Sequence, residues 1–257
     1  MKAAHTSYSA IRFHRTFELI VEGIGHLFWP RVCANCGSPV LKNDDGLCPQ
    51  CWERIQSCVS GDYCRRCGMD ASLYANIHGT CAACEKLTLQ YDGIARAGEY
   101  KDAFRDLILS LKFNDSPEFS RYLGPLADAA LASSGFVDRI DMYVPVPLHW
   151  RRRLWRGFNQ SMLLCKHLTA PGKIINTDLV RIRNTHRQWN LSNPHRRKNV
   201  AGAFAVRPDH NFYGKTICLV DDITTSGATL NECAKTLKAA GAAKVFALVV
   251  AVAANDT

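Results

Sequence analysis

From residue 93 onward, apolar stretches alternate with amphipathic ones. Residues 93–100 read as a strand, and 102–113 as a helix with Phe104, Leu107, Ile108 and Leu111 on one face. Residues 116–134 predict a second helix, with Ser116 at the N-cap and Pro117 just inside its start. The segment 141–148, DMYVPVPL, reads as a strand whose two prolines impose a rigid, bent exit. A helix over 157–169 follows, then a short strand over 202–206. Residues 216–221 carry the central strand, with Ile217 to Val220 continuously apolar, as in a strand covered on both faces. A helix over 226–240, closed by Gly241, and a final buried strand over 244–253 complete the pattern. Strands alternating with helices predict an α/β fold with a doubly wound parallel sheet. Between these elements, residues 184–199 show no clean period and predict a long loop of the kind that often covers a ligand.

The first third of the chain reads differently. Residues 1–9 form a tail, and 10–29 carry apolar residues at roughly helical spacing that stops before Pro30, which predicts a packing helix. Arg12, His14 and Arg15 interrupt this stretch, so it does not read as a signal peptide. No apolar run approaches the roughly 18 residues of a membrane-spanning helix, and a cytoplasmic protein is expected.

Eight of the twelve cysteines fall in four Cys-x-x-Cys pairs: Cys33/Cys36, Cys48/Cys51, Cys64/Cys67 and Cys81/Cys84. The pairs repeat: Cys33 to Cys64 and Cys36 to Cys67 are steps of 31, Cys48 to Cys81 and Cys51 to Cys84 steps of 33. Gly37 and Gly68 follow the first pair of each unit, as the turn around a metal requires. Four thiolates per unit close one tetrahedral Zn²⁺ site, so two consecutive zinc ribbons are predicted rather than a cross-braced pairing, iron–sulfur ligation or redox disulfides. Cys165, Cys218 and Cys233 lie in apolar contexts and read as core. The composition changes after the last pair, which divides the chain into a tail and helix over 1–30, a double zinc ribbon over 31–88 and an α/β domain over 89–257.

The central strand leads into the chemistry. Asp221 and Asp222 follow its apolar run, and Thr224, Thr225, Ser226, Gly227, Ala228 and Thr229 turn the chain into the next helix. Small and hydroxyl residues at a helix start suit a phosphate, and paired carboxylates suit sugar hydroxyls. Neither a GxGxxG dinucleotide fingerprint nor a GK[ST] phosphate loop is present in this segment.

The formal net charge of +9 favours an anionic partner, although eight thiolates around two Zn²⁺ would offset part of it. The charge is concentrated. Residues 151–198 hold twelve Lys or Arg against one acid, Asp178. Arg151, Arg152, Arg153, Arg156, Arg187, Arg196 and Arg197 are interleaved with Trp150, Trp155, Phe158 and Trp189. Guanidinium groups beside aromatics suit single-stranded nucleic acid, where phosphates meet arginine and bases stack. The same charges also suit a pyrophosphate clamp or a solvated basic face. His149, His167, His186 and His195 lie in or near this region, with no orienting acid beside any of them in the sequence.

The loop VDDITTSGAT closely resembles the phosphoribosyl pyrophosphate (PRPP) loop of type I phosphoribosyltransferases. Taken with LFWPRVCANCG at the cysteine start, LILSLKF at 107–113, and PVPLHWRRRLWRGFNQS at 145–161, the chain resembles the ComF family of competence-associated proteins over nearly its whole length. Gln188, Leu191, Arg197, Asn199 and Phe204 follow a later pattern of that family approximately, and Arg196 is an alternative to Arg197.

The resemblance implies a PRPP-type site on Asp221, Asp222 and the following turn, with Mg²⁺ bridging ligand oxygens. It implies a pyrophosphate loop at Pro145, Val146, Pro147 and Leu148, and a role with incoming single-stranded DNA in natural transformation. Two other readings are an active phosphoribosyltransferase, for which Asp221 and Asp222 are the catalytic candidates, and a zinc-ribbon scaffold for a helicase-like partner. A glutamine-dependent amidotransferase is set aside, because that chemistry needs a nucleophilic cysteine and eight cysteines are committed to metal.

Overall fold

The computed structural model describes residues 31–40, 46–59, 61–70, 81, 84, 87–113, 116–185 and 193–253. The tail and helix expected over 1–30 lie outside these, as do Arg187, His186, Gln188, Trp189 and Leu191. The chain divides into two compact units, Met1–Glu53 and Arg54–Thr257. The first holds the Cys33, Cys36, Cys48, Cys51 quartet; the second holds the other quartet and the sheet.

Both cysteine knuckles are built alike. In the first, Gly37 N–H donates to the Cys33 carbonyl at 2.8 Å and Cys33 N–H to the Ser38 carbonyl at 2.7 Å, beside an antiparallel bridge of Val32 and Pro39. In the second, Gly68 donates to Cys64 at 2.8 Å and Cys64 to Met69 at 2.9 Å, beside a bridge of Tyr63 and Asp70. Gly37 and Gly68 have φ of 74° and 83°, the left-handed conformation that a side chain would strain. Helix α1 (Pro49–Val59) starts immediately after Cys48, so Cys51 sits in its first turn.

In chain order the rest runs β1 (Gly93–Glu99), α2 (Asp102–Phe113), α3 (Ser120–Ala132), β2 (Met142–Pro145), α4 (Trp150–Arg156), α5 (Gln160–Cys165), β3 (Ile174–Ile175), β4 (Leu179–Arg181), α6 (Asn193–Val200), β5 (Phe204–Val206), β6 (Thr216–Thr224), α7 (Ala228–Ala239) and β7 (Lys244–Val252). Five strands form a parallel sheet in the order β1-β7-β6-β2-β3, while β4 and β5 pair antiparallel beside it. Helices α3 and α5 pack on strands of this sheet, and α7 packs against β6, β7 and β5. The α/β fold with a mostly parallel central sheet is the one the strand–helix alternation predicts.

Every residue of β7 after Lys244 is buried, and so are Ile217 to Val220 of β6. The two central strands therefore read as apolar runs with no polar face. Ile217, Leu219, Val245, Ala247 and Val249 share one core with Leu230, Cys233, Ala234 and Leu237 of α7. Cys165, Cys218 and Cys233 are buried in the core, as their contexts predict.

Several elements differ from expectation. The helix expected over 116–134 opens as a 3₁₀ turn, Pro117–Phe119, and Ser116 makes no side-chain cap there. Strand 141–148 stops at Pro145. Val146 N–H donates to the Val220 carbonyl at 2.9 Å, so by alternation the Pro145 nitrogen faces β3, which has already ended. The proline thus costs the ladder no bond. The helix expected over 157–169 is the shorter α5, and α4 precedes it unforeseen. No residue of α4 is buried, so it leaves no apolar period in the sequence. The last residues of the loop expected over 184–199 form α6. Helix α7 starts at Ala228 rather than 226, because Gly227 takes a left-handed φ of 69° at its N-cap.

A candidate ligand site at the C-terminal edge of the sheet

Strand β6 continues through the acid pair to Thr224, whose carbonyl accepts from Ala253 N–H at 2.9 Å. Asp221 and Asp222 therefore stand inside the strand's last turn of pleat, and their side chains lead to different partners. Asp221 Oδ1 accepts from Ser161 Oγ at 3.1 Å and from the Asp222 N–H at 2.9 Å. Asp222 Oδ1 accepts from Ile223 N–H at 2.7 Å, and Asp222 Oδ2 lies 3.4 Å from Lys112 Nζ at the end of α2. Burial, followed by repulsion from Asp222, pushes Asp221 up to about 7, with Lys112 and the hydrogen bonds acting the other way.

The turn after the acids occupies Thr225, Ser226 and Gly227. Arg196, on α6, donates to Thr225 Oγ1 at 2.9 Å. Of the two alternatives in the sequence, Arg196 is the one that bonds Thr225 of this turn. Arg197 lines an open cleft of about 280 Å³ with Leu89, Val200, Ser226 of the turn, Ala228 and Asn231. No side chain caps α7, and Ser226 Oγ is enclosed without a hydrogen-bond partner among the described residues. A helix start leaves backbone N–H groups without intrahelical acceptors and carries partial positive charge. Thr225 and Thr229 are partly exposed and Ala228 is buried beside them, while Thr224 is only 7 % exposed and belongs to the strand.

On the other flank, Asn159 ties two elements together. Its side chain caps α5 by accepting from Ser161 N–H at 3.1 Å, and its Nδ2 donates to the Val146 carbonyl at 3.1 Å. This one residue fixes the turn Pro145, Val146, Pro147, Leu148 and aims Ser161 at Asp221. His149 caps α4, its Nδ1 accepting from Arg151 N–H. Burial and then Arg151, Arg181 and Arg152 push the His149 pKa down.

Helix α4 carries the basic residues. Arg151 and Arg153 are exposed, Arg152 and Arg156 partly buried, and Trp150, Leu154 and Trp155 are 58 %, 75 % and 65 % exposed. Arg152 turns inward and donates to the Thr185 carbonyl. The arginines foreseen as one group are therefore divided between solvent and the sheet edge.

Four residues at this edge were not singled out from the sequence: Lys112, Ser161, Arg181 and Thr185. The first two lie in the phrases LILSLKF and GFNQS, which carried a signal without an assigned role.

The cysteine quartets form two separate clusters, Cys33, Cys36, Cys48, Cys51 and Cys64, Cys67, Cys81, Cys84, with the sulfurs of each within 4.8 Å of one another. Cys36 and Cys48 sulfurs are 3.7 Å apart, Cys64 and Cys84 3.5 Å, and Cys67 and Cys81 3.4 Å. A tetrahedral Zn²⁺ with Zn–S near 2.3 Å has sulfurs about 3.8 Å apart, so both sets fit the ion. Cys48 N–H donates to Cys33 Sγ at 3.3 Å and Cys51 N–H to Cys48 Sγ at 3.4 Å, bonds that favour thiolate. Four thiolates together need a cation: burial holds Cys51 up to about 12, while bonds to Ser38 bring Cys36 down to about 6. The two Cys₄ sites are the predicted consecutive pairing.

A double zinc ribbon domain model matches residues 24–85. Competence protein F of Haemophilus influenzae is 31% identical over 219 residues, covering 83% of this chain and 93% of that protein. The DNA utilization protein YhgH of Escherichia coli K12 is 30% identical over 222 residues, covering 84% and 94%. Competence protein ComFC of Bacillus subtilis is 25% identical over 210 residues, covering 79% and 82%.

Proposed function

Because this chain belongs to the ComF family of competence proteins, we propose that it acts in DNA uptake by pairing a PRPP-type ligand site with a single-strand-binding helix. The ligand's 5-phosphate lies on Thr225, Ser226, Gly227, Ala228 and Thr229, with Arg196 alongside. Its ribose hydroxyls meet Asp221 and Asp222, and these acids would help hold a ligand-borne Mg²⁺, which would neutralise phosphate charge. The turn Pro145, Val146, Pro147, Leu148 takes the pyrophosphate.

The observation that carries the reading is the convergence on one strand end. The acid pair and an uncapped helix start follow one another in the single segment 221–228, and Arg196 reaches it from α6 to bond Thr225, all at the C-terminal edge of β6. Ligands of open α/β sheets bind at that edge.

Single-stranded DNA runs along α4. Two tryptophans and a leucine more than half exposed on one short arginine-rich helix support this reading. Exposed aromatics stack bases, at about 1–3 kcal/mol each, while Arg151 and Arg153 meet phosphates.

The test separates the two activities. Asp221→Asn with Asp222→Asn should weaken PRPP binding in the presence of Mg²⁺ at least tenfold and leave oligonucleotide affinity unchanged. Affinity for a fluorescent single strand should fall with salt, with a logarithmic slope of roughly 0.7 per phosphate contacted. Unchanged PRPP binding in the variant, or a flat salt series, contradicts the respective half.

A further inference from the structure

Strand β4 ends on Arg181, whose guanidinium folds inward rather than into solvent. It donates to Thr185 Oγ1 and stacks 5.3 Å from the Phe204 ring. Arg152 donates to the carbonyl of the same Thr185, which is 7 % exposed. Two guanidinium groups therefore converge on one buried threonine. Among the described residues, Arg181 Nε is enclosed without a hydrogen-bond partner and no carboxylate forms an ion pair with Arg181.

This arrangement is unfavourable on its own. Two like charges held close in a partly buried place repel, and an unsatisfied enclosed donor is costly. Burial and Arg152 both lower the Arg181 pKa, while Asp221 is near enough to raise it. The same pair of arginines acts on His149, which directly follows the turn Pro145, Val146, Pro147, Leu148. An anion seated between that turn and the arginines would offset the repulsion between the two guanidinium groups. A guanidinium fork matches phosphate oxygens two at a time.

We propose that Arg181, supported by Arg152, is the specificity residue for the pyrophosphoryl group, so that the site distinguishes PRPP from ribose 5-phosphate. The inference rests on the PRPP-type reading of the site. Thr185 orients both guanidinium groups, and Arg181 bonds the anion through its fork. The phosphate oxygens of a DNA strand share this chemistry, and the experiment keeps the two apart.

The measurement is titration calorimetry on the full chain with Mg²⁺, using PRPP, ribose 5-phosphate and inorganic pyrophosphate. A fluorescent single-stranded oligonucleotide is run in parallel. Arg181→Gln should lose about tenfold or more in PRPP and pyrophosphate affinity, with ribose 5-phosphate and oligonucleotide affinities unchanged. Arg181→Lys keeps the charge but not the fork, and should fall between; it also serves if the glutamine variant melts too low to assay.

Equal losses for PRPP and ribose 5-phosphate, no loss for PRPP, or a loss confined to the oligonucleotide overturns the inference. A wild type that ignores ribose 5-phosphate contradicts the phosphate-turn reading instead. Pyrophosphate alone then still decides the role of Arg181, by whether the variant loses it.

Discussion

Asp221 and Asp222 are adjacent in sequence but have different neighbours. Asp222 is buried with Lys112 beside it; Asp221 has a serine hydroxyl and a second carboxylate as neighbours. Asp221 therefore ionises near 7 in the folded chain, against about 4 for an unfolded aspartate. A raised carboxyl value means that folding favours the protonated acid. The ligand-free protein should lose stability as pH rises from about 4 to about 7, then level off. Binding of ribose hydroxyls or Mg²⁺ needs the ionised acid, so PRPP affinity should rise over the upper part of that range, by at most about tenfold per pH unit. Calorimetry at pH 6 and pH 8 checks this. Asp221→Asn is the necessary comparator, because the ligand's own phosphate titrates near pH 6 and the variant should show only that smaller change.

At the level of elements, the site depends on how short helices are anchored. Asn159 both caps α5 and grips the Val146 carbonyl, so one side chain sets the position of Ser161 and the shape of the proline-bounded turn. Asn159→Ala should cost about 1 kcal/mol of stability, typical of a lost cap, and weaken PRPP binding more than ribose 5-phosphate binding. Chemical denaturation and calorimetry measure the two effects; equal weakening of both ligands would argue that the turn does not meet pyrophosphate. Much of this region could be read from the sequence. The apolar runs of β6 and β7 announce buried strands, and the acid pair followed by hydroxyls announces the turn. The two prolines of DMYVPVPL announce an early strand exit. Other parts were silent for physical reasons. Helix α4 buries no residue and so has no apolar period, and β4 is three residues long. Lys112, Ser161 and Arg181 reach the sheet edge from distant segments, and only tertiary structure brings them to the acids.

Across the whole molecule, the two cysteine quartets differ in their surroundings although their knuckles match. The second is built into the unit that carries the sheet. Ile94 N–H donates to the Arg65 carbonyl at 2.8 Å, Arg96 reaches from β1 to the Gly68 carbonyl at 2.9 Å and pairs with Asp70, and Arg66 donates to the Tyr91 and Leu89 carbonyls. Asn231 of α7 accepts from Gln90 N–H at 2.5 Å and donates to the Thr88 carbonyl at 3.2 Å, linking the segment after the quartet to α7. Folding energy from Zn²⁺ at this quartet, of the order of 10–16 kcal/mol in zinc-finger peptides, is thus coupled to the sheet. Cys64→Ser should lower the melting temperature of the sheet's transition in scanning calorimetry. Cys33→Ser, in the other unit, should leave that transition in place while removing one Zn²⁺ per chain. Equal shifts from the two variants would contradict this coupling. Among the described residues no helix is long and apolar enough to cross a membrane.

Whether the end of β6 is a ligand site is tested most directly by crystals soaked with PRPP and Mg²⁺. The predicted result is density for the 5-phosphate within hydrogen-bond reach of Ser226, Gly227 and Ala228 backbone N–H groups, with both ribose hydroxyls on Asp221 and Asp222. Clear density for PRPP elsewhere, or an empty turn at saturating ligand, would contradict it.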